Sequence, residues 1–177
     1  MVVRWLKRRR VVPRAVCAKP SKVNNKFMRI KELFFILLLL SIDVISKVLI
    51  TANLIKGSPL NLINGLLWVE LAENKGFAFG LGGSLSFFLI FLYLLAIVIL
   101  ITILVRPERK KSERLGYTLL LSGVLGNTLD RLVDGKVTDF IALKGFAIFN
   151  FADIFITTGL LVILLLQLSK SRETQDS

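Results

Sequence analysis

The sequence predicts a mainly α-helical membrane protein with four transmembrane helices and a small extracytoplasmic β cradle. Hydrophobic residues make up 54% of its 177 residues, and the mean hydropathy is +0.70, which is more apolar than an ordinary soluble domain. Four apolar segments approach the length of about 20 residues that a helix needs to cross a bilayer. The formal net charge is +12. The positive residues are concentrated in alternate linkers, as is typical of proteins that cross a membrane several times.

The four predicted spans are separated by polar linkers. They occupy about residues 34–55, 84–105, 115–133 and 151–168. The second span, SLSFFLIFLYLLAIVILITILV, is the most uniformly apolar. The other three carry polar residues, and because such residues are costly in hydrocarbon they are functional candidates.

Lysine and arginine predict the orientation of the spans. Eleven of them precede the first span, and the linker RPERKKSER between the second and third spans contains five more. The remaining two linkers hold only Lys56, Lys75, Lys136 and Lys144. Because positive residues are retained in the cytoplasm, both termini are predicted to be cytoplasmic and the linkers at 56–83 and 134–150 to face outside.

The first 27 residues are basic and contain no acidic residue. We interpret residues 1–27 as a disordered cytoplasmic extension. Two alternatives remain, namely a true start at Met28, whose MRIKELFFILLLL suits a membrane protein, and a tether to nucleic acid or anionic lipid. A cleavable signal peptide is not predicted, because no small-residue cleavage site follows an isolated apolar core. The four-span domain then covers residues 28–170, and residues 171–177 form a cytoplasmic tail.

The outer linker at residues 56–83 has the composition of strands and turns. Its LLWVEL segment is rich in strand formers, and the flanking Asn-Lys-Gly and glycine-rich segments favour turns. We therefore expect a small sheet or extended cradle on the outer membrane face.

The chain has no histidine and one cysteine, Cys17, which excludes several classes of site. A Ser-His-Asp or Cys-His arrangement cannot be built. A zinc site lacks its usual ligands, and no intrachain disulfide can form. Any catalysis must use carboxylates, lysine, hydroxyls or backbone groups, and we expect no metal and no cofactor.

The polar residues of the first and third spans lie progressively nearer the outer leaflet. A helix rises about 1.5 Å per residue, so Asp43 and Lys47 are roughly 14 and 20 Å from the cytoplasmic start of the first span. In the third span a polar stripe follows the helical repeat. It consists of Asn127, Asp130, Arg131 and Asp134.

Two further aspartates approach the same zone from outside. Asp139 lies in the outer linker just after the third span, and Asp153 lies at the outer end of the fourth. This placement predicts one polar pocket at the outer membrane surface. Two carboxylates that share one proton can hydrolyse a peptide bond, because one activates water and the other protonates the carbonyl and then the leaving amine.

Each aspartate of this pair also has a structural interpretation. Asn150 is a plausible helix N-cap, and Asp153, three residues later, would then favour the helix start by its charge. Asp139 could be an ordinary loop carboxylate. The pattern alone gives the structural and catalytic interpretations equal weight.

The remaining polar residues are interpreted first as structural. Asp130 with Arg131, and Asp43 with Lys47, are predicted to be buried ion pairs. A Ser-Lys hydrolase built on Ser46 is disfavoured, because adjacent residues on a helix point about 100° apart.

Four sequence blocks resemble the lipoprotein signal peptidases, also called signal peptidase II. They are DVISK at 43–47, NKGFAFG at 74–80, GNTLDRLVDGKVTDFI at 126–141 and FNFADIFI at 149–156. The resemblance covers about residues 28–170, and the last two blocks are the most specific. It implies four transmembrane helices with a small extracytoplasmic sheet and a mobile outer helix.

The resemblance also implies roles for individual residues. The catalytic aspartates would be Asp139 and Asp153. Supporting residues that bind substrate would be Asn74, Asn127, Arg131 and Asn150. Structural polar residues would be Asp43, Lys47 and Asp130.

By the same resemblance, the activity would be an aspartic endopeptidase in the bacterial cell membrane. It would remove signal peptides from prolipoproteins, cleaving before the diacylglyceryl-modified cysteine. Its partners would be those prolipoproteins and membrane lipids, without nucleic acid, and the protein would be a monomer. One departure is the segment FIALKGFAIFNFA between the aspartates, which is a few residues short for the family and predicts a tight outer loop.

Two rival functions come from other classes. A transporter or proton relay could use Asp43, Lys47, Asp130 and Arg131 as a charge path, and it would need polar groups through the inner half of the bundle. A non-catalytic membrane scaffold would tolerate loss of both carboxylates.

Overall fold

The computed structural model describes residues 30–75, 84–106 and 109–175. The basic extension predicted at residues 1–27 and residues 76–80 of the NKGFAFG block lie outside the described residues. The described elements are, in order, α1 (Ile30–Asn53), β1 (Leu60–Ile63), β2 (Leu67–Asn74), α2 (Ser84–Val105), α3 (Lys111–Asp134), β3 (Val137–Leu143) and α4 (Phe151–Gln175).

Three of the described helices are long and apolar enough to cross a membrane. The qualifying segments are Ile30–Asn53 of α1, Phe88–Val105 of α2 and Phe151–Arg172 of α4. Their outward faces carry exposed leucine, isoleucine, valine and phenylalanine side chains, as expected where lipid rather than water is the solvent. The chain is therefore membrane-embedded. Helix α4 extends beyond the span predicted at 151–168.

The predicted third span is a helix, but α3 is more polar than the other three and does not meet the same criterion of length and apolarity. It packs against α1, α2 and α4. Twelve of its 24 residues are buried, whereas only four of the 24 residues of α1 are. Because protein surrounds α3, it can carry polar side chains that would be costly on a helix facing lipid.

Small residues let α3 and α4 approach each other closely. A Cβ atom added to Gly123 would lie 2.3 Å from the carbonyl oxygen of Ala152, and one added to Gly159 would lie within 2.7 Å of the α3 backbone. A Cβ atom added to Gly126 would lie 2.5 Å from Oδ2 of Asp43. These glycines bring the start of α4 and a buried carboxylate of α1 against the same stretch of α3.

A three-stranded antiparallel sheet in the order β1-β2-β3 follows the C-terminal ends of α1 and α3. Strand β2 contains most of the LLWVEL segment, so a small sheet was correctly predicted there. Asp139 belongs to β3 rather than to an irregular linker. Ala72 pairs with Asp139 and Asn74 pairs with Val137, which puts these four side chains on one face of the sheet.

The chain returns sharply from β3 to α4. Ile141 and Phe149 exchange backbone hydrogen bonds of 2.8 and 3.0 Å, and Gly145 adopts a φ of +78° in the turn between them. This is the tight loop that the short segment predicts. Its consequence is that Asn150, immediately before α4, lies next to Asp139.

We expect Gly123→Ala to lower the free energy of unfolding by about 1–3 kcal/mol, because the new methyl group would overpack against the α4 backbone. Gly116→Ala is the milder comparison on the same helix, because its Cβ would lie 2.8 Å from Cγ1 of Ile163 and 3.2 Å from the Gly159 carbonyl oxygen, whereas the Gly123 Cβ would lie 2.3 Å from backbone; it should destabilise less. Thermal unfolding in detergent measures both. Equal melting temperatures for Gly123→Ala and wild type would contradict the close packing at Ala152.

Candidate active site

The centre of the site is the side chain of Asn150, which is fully buried. Its Nδ2 donates to Oδ1 of Asp139 at 2.6 Å. Its Oδ1 accepts the backbone N–H of Asp153 at 3.0 Å, and its own N–H donates to Oδ2 of Asp153 at 3.3 Å. One residue therefore contacts both aspartates that the sequence singled out.

Asn150 and Asp153 form a reciprocal cap at the start of α4. The Asn150 side chain satisfies the N–H of the third helical residue, and the side chain of that residue reaches back to the N–H of the cap. The structural interpretation of Asp153 as a helix-start residue is correct. Because the second oxygen, Oδ1, accepts from Nδ2 of Asn127 at 2.7 Å, the cap also fixes where this carboxylate lies.

Asp139 is 3% exposed and accepts two side-chain hydrogen bonds. Besides Asn150, Nδ2 of Asn74 donates to its Oδ2 at 3.1 Å. Burial raises the pKa of Asp139 to about 6, because removal from water disfavours the charged form. The hydrogen bond from Asn74 opposes this increase, the negative charge of Asp153 adds to it, and Asn150 and Lys47 oppose it.

Behind the aspartate pair lies a buried charge network centred on Lys47. Its Nζ is 2.7 Å from Oδ2 of Asp43, 3.0 Å from Oδ2 of Asp130 and 3.2 Å from Oδ1 of Asn127. Asn127 thereby accepts from the lysine with its oxygen and donates to Asp153 with its nitrogen. The network joins α1 to α3 and, through Asn127, to α4.

Asp43 contacts more than its predicted partner on α1. Its Oδ1 accepts the backbone N–H of Ala152 at 2.8 Å, so a carboxylate from the first helix satisfies an unpaired donor in the first turn of the last. A negative charge is favoured at a helix N-terminus. The sequence spacing predicted the Asp43–Lys47 contact but gave no sign of the contact with α4.

The predicted ion pair between Asp130 and Arg131 is not formed, and each residue has other partners. Asp130 contacts Lys47 and accepts the Thr138 N–H at 3.0 Å. Arg131 lies over the ring of Tyr93 at 4.7 Å and donates to the carbonyl oxygen of Asn127 at 3.3 Å. The reason is geometric, since neighbouring residues of a helix point in different directions.

Tyr93 and Thr138 are site residues that the sequence analysis missed. A lone tyrosine in the otherwise apolar second span was a usable signal for Tyr93. Thr138 contributes only backbone groups at the site, and no residue type indicates that. Ser46 donates to the carbonyl oxygen of Asp43, so it is not presented as a nucleophile.

A groove of about 460 Å³ is lined by Asp153 and by Asn74, the residue that donates to Asp139. Asn74 and Asp153 contribute its polar lining, Thr157 and Thr158 extend it along α4, and residues 146–149 contribute its largely apolar wall. A carboxylate at the edge of an apolar groove can act on a chain lying in that groove. The arrangement suits acid–base chemistry on an extended, apolar substrate.

Comparison with known proteins identifies the family of this architecture. A model of signal peptidase II matches residues 35–169. The lipoprotein signal peptidase of Moorella thermoacetica is 36% identical over 132 residues, covering 74% of this chain and 88% of the relative. That of Clostridioides difficile is 34% identical over 145 residues, covering 79% and 98%.

Solved structures show the same fold. One, described as a bacterial membrane enzyme determined by the in meso method at 2.3 Å resolution, has a TM-score of 0.76 and 24% sequence identity. It covers 84% of this chain, and the match covers 93% of that chain. A second such structure, at 1.9 Å resolution, also has a TM-score of 0.76.

We expect Asp139 to titrate near pH 6, and Asn74→Ala to move this pKa upward, because the lost hydrogen bond favoured the carboxylate. Infrared difference spectroscopy of the protonated carboxyl measures the titration, and Asp139→Asn identifies the band.

Since the folded-state pKa lies above the ordinary value of 3.8, fold stability should also decrease as pH rises from about 4 to about 6.

Asn61→Ala, an exposed substitution on β1, is the control for Asn74→Ala. It should leave the Asp139 band unchanged. A titration at the ordinary value in wild-type protein, or the same shift in both variants, would contradict the assignment of these causes.

Proposed function

Since the chain belongs to the signal peptidase II family of proteases, we propose that Asp139 and Asp153 are an aspartic dyad that removes signal peptides from bacterial prolipoproteins. The observation that carries this proposal is the shared contact with Asn150. One buried asparagine donates to both carboxylates, through its side-chain amide to Asp139 and through its backbone N–H to Asp153. Asp153 also lines an apolar groove, a position that a purely structural pair would not need.

The proposed reaction needs one proton on the pair. The carboxylate of Asp153 takes a proton from water as the water oxygen attacks the scissile carbonyl carbon. Asp139 donates its proton to the carbonyl oxygen, which gives a tetrahedral diol. When the C–N bond breaks, Asp153 passes its proton to the leaving amine, and Asp139 recovers a proton from the diol.

Burial supports placing the starting proton on Asp139, whose pKa is raised to about 6. A substrate that covers the site removes more water from this carboxyl and raises its pKa further, which keeps the pair singly protonated near neutral pH. Asp153 lies in the first turn of α4, where negative charge is favoured. The macroscopic titration belongs to the pair as a whole.

The proposed substrate is a prolipoprotein cleaved before its diacylglyceryl-modified cysteine. Such a cysteine stays at the level where acyl chains meet the polar membrane surface. The groove beside Asp153 joins polar Asn74 to an apolar wall that includes Phe146 and Ile148. An apolar signal segment and a lipid anchor both fit a wall of this composition.

We further propose that α3 is a fourth transmembrane helix, with both chain termini in the cytoplasm. Its 24 residues match the 24 residues of α1 in length. Its packing against the other three helices supports a membrane position despite its polarity. The excess of lysine and arginine in the linker between α2 and α3 supports a cytoplasmic location for that linker, and the dyad is then extracytoplasmic.

A charge path for transport receives little support from the described residues. The Lys47 network lies toward one end of the bundle, and the pairs of Arg114 with Glu32 and Lys170 with Glu113 lie toward the other. An apolar core lies among the helices between them. It consists of Ile36, Leu100, Leu104, Tyr117, Leu121, Val124 and Ile163.

We expect Asp139→Asn and Asp153→Asn each to reduce cleavage about a thousandfold or more, as for members of a catalytic unit. The assay presents a diacylglyceryl-modified prolipoprotein to purified protein in lipid and measures release of the signal peptide. Each variant is first checked for unchanged thermal unfolding, because Asp153 also caps α4.

Asp134→Asn is the matched control for these substitutions. This exposed carboxylate ends α3 on the same polar stripe, and its loss should leave cleavage unchanged. Full activity in either dyad variant would remove the aspartic assignment. Absence of cleavage by wild-type protein on several lipidated substrates would favour a scaffold.

Asn150 separates capping from dyad positioning. Asn150→Ser retains a good N-cap, whereas Asn150→Ala loses about 1 kcal/mol of capping. Neither keeps the amide that donates to Asp139, so kcat should fall about tenfold to a hundredfold in both. Thermal unfolding should show the larger loss of stability in Asn150→Ala. Near-normal kcat in Asn150→Ser would mean that only the cap matters.

A further inference from the structure

A second groove, of about 420 Å³, lies between the first turns of α1 and α3. Its charged lining consists of Lys31, Glu32, Lys111 and Arg114, and its apolar lining includes Phe35 and Leu115. It is far from the aspartates, because Lys31 and Lys47 are 16 residues apart on α1, which is about 24 Å along a helix.

The groove has a surplus of positive charge. Arg114 is 5% exposed and holds the Glu32 carboxylate with two hydrogen bonds, so the one acidic lining residue is already neutralised. Lys31 and Lys111 are both exposed, and within the described part of the chain neither has a carboxylate at ion-pair distance. Among the described residues, these two lysines at the mouth of the groove therefore have no counter-ion.

A nearby acidic residue of α3 does not supply that counter-ion. Glu113 is 7% exposed and contacts Arg109 at 3.4 Å and the ammonium of Lys170. Its charge is therefore already matched by two basic side chains. An anion for Lys31 and Lys111 has to come from outside the described chain.

The apolar half of the groove indicates what accompanies that anion. Leu115 is 47% exposed and its neighbour across the groove, Phe35, is half-buried. The same side of α1 continues into exposed residues such as Leu38 and Ile42. Along the bundle, exposed lysines are followed by an apolar surface. A ligand with an anionic end and a hydrocarbon end would fit both.

We propose that this groove binds a phospholipid with an anionic headgroup. The phosphate contacts Lys31 and Lys111, and an acyl chain lies along Phe35 and Leu115. Juxtamembrane lysines attract anionic headgroups. The walls of the groove also hold the ligand in a defined position. The proposed topology puts this lipid in the cytoplasmic leaflet, but binding itself depends only on the groove.

The test measures thermal unfolding of the full chain in non-ionic detergent during titration with phosphatidylglycerol, and separately with phosphatidylcholine of the same acyl chains. A ligand that binds the folded state raises the melting temperature in proportion to its affinity and concentration. We expect phosphatidylglycerol to stabilise the protein more than phosphatidylcholine. Soluble glycerol 3-phosphate should have no effect at the same concentration, because it lacks the acyl chain.

The decisive comparison uses two charge-matched double variants. Lys31→Gln with Lys111→Gln should weaken the apparent affinity for phosphatidylglycerol by about fivefold per lysine. Lys110→Gln with Lys144→Gln removes two exposed charges outside the groove, one of them adjacent to Lys111, and should leave the affinity unchanged.

Three results would overturn the proposal. Equal stabilisation of wild-type protein by both phospholipids would show that the headgroup charge is not recognised. Equal weakening in the two double variants would show general attraction to a basic surface. Stabilisation by glycerol 3-phosphate equal to that by phosphatidylglycerol would show a site for a free anion.

Discussion

The end of the helical bundle next to the sheet depends on one buried ammonium group, that of Lys47. Its nitrogen lies within 3.2 Å of two carboxylates and the Asn127 amide oxygen, and its side chain is 5% exposed. A buried charge without partners is costly, and breaking such a contact typically costs about 3–5 kcal/mol. Lys47 thus makes the burial of Asp43 and Asp130 tolerable, and through Asn127 it fixes one oxygen of Asp153.

At the start of α4, the contacts that stabilise the helix also position the proposed dyad. Asp43 satisfies the Ala152 N–H, and Asn150 satisfies the Asp153 N–H. These contacts fix the first turn of the helix in position and direction. Because Asp153 belongs to that turn, the capping contacts also position a carboxylate relative to Asp139. The structural and chemical interpretations of these residues are therefore compatible, and each depends on the other.

The two ends of the bundle use charge in different ways. At the end next to the sheet, acidic groups outnumber Lys47, the one buried lysine among the described residues, and Asp139 has a raised pKa because water is excluded from it. At the other end, ion pairs such as Arg114 with Glu32 leave a surplus of exposed lysine. The apolar core around Leu104 and Leu121 separates the ends. A largely apolar groove at one end and an amphipathic groove at the other follow from this division.

The sequence by itself determined the membrane class, the helical segments, the presence of a small sheet and most of the polar residues at the site. It could do so because apolar length and periodicity are properties of consecutive residues, and the extent of α2 was predicted as it is in the structure. It did not determine that α3 is central, although the polarity of α3 was visible. A polar helix is explained only by what surrounds it.

Beyond the local contacts that the spacing predicts, such as Asp43 with Lys47, only the tertiary structure decided which polar groups touch. Residues such as Asp43 and Ala152 are 109 positions apart, so no local pattern encodes their hydrogen bond. The exchange of the expected Asp130–Arg131 pair for contacts with Lys47 and Tyr93 has the same origin. Side-chain direction on a packed helix is set by neighbouring helices, and the close approach at Gly123 and Gly126 sets which neighbours those are. The sequence named the carboxylates, and packing between distant segments decided their partners.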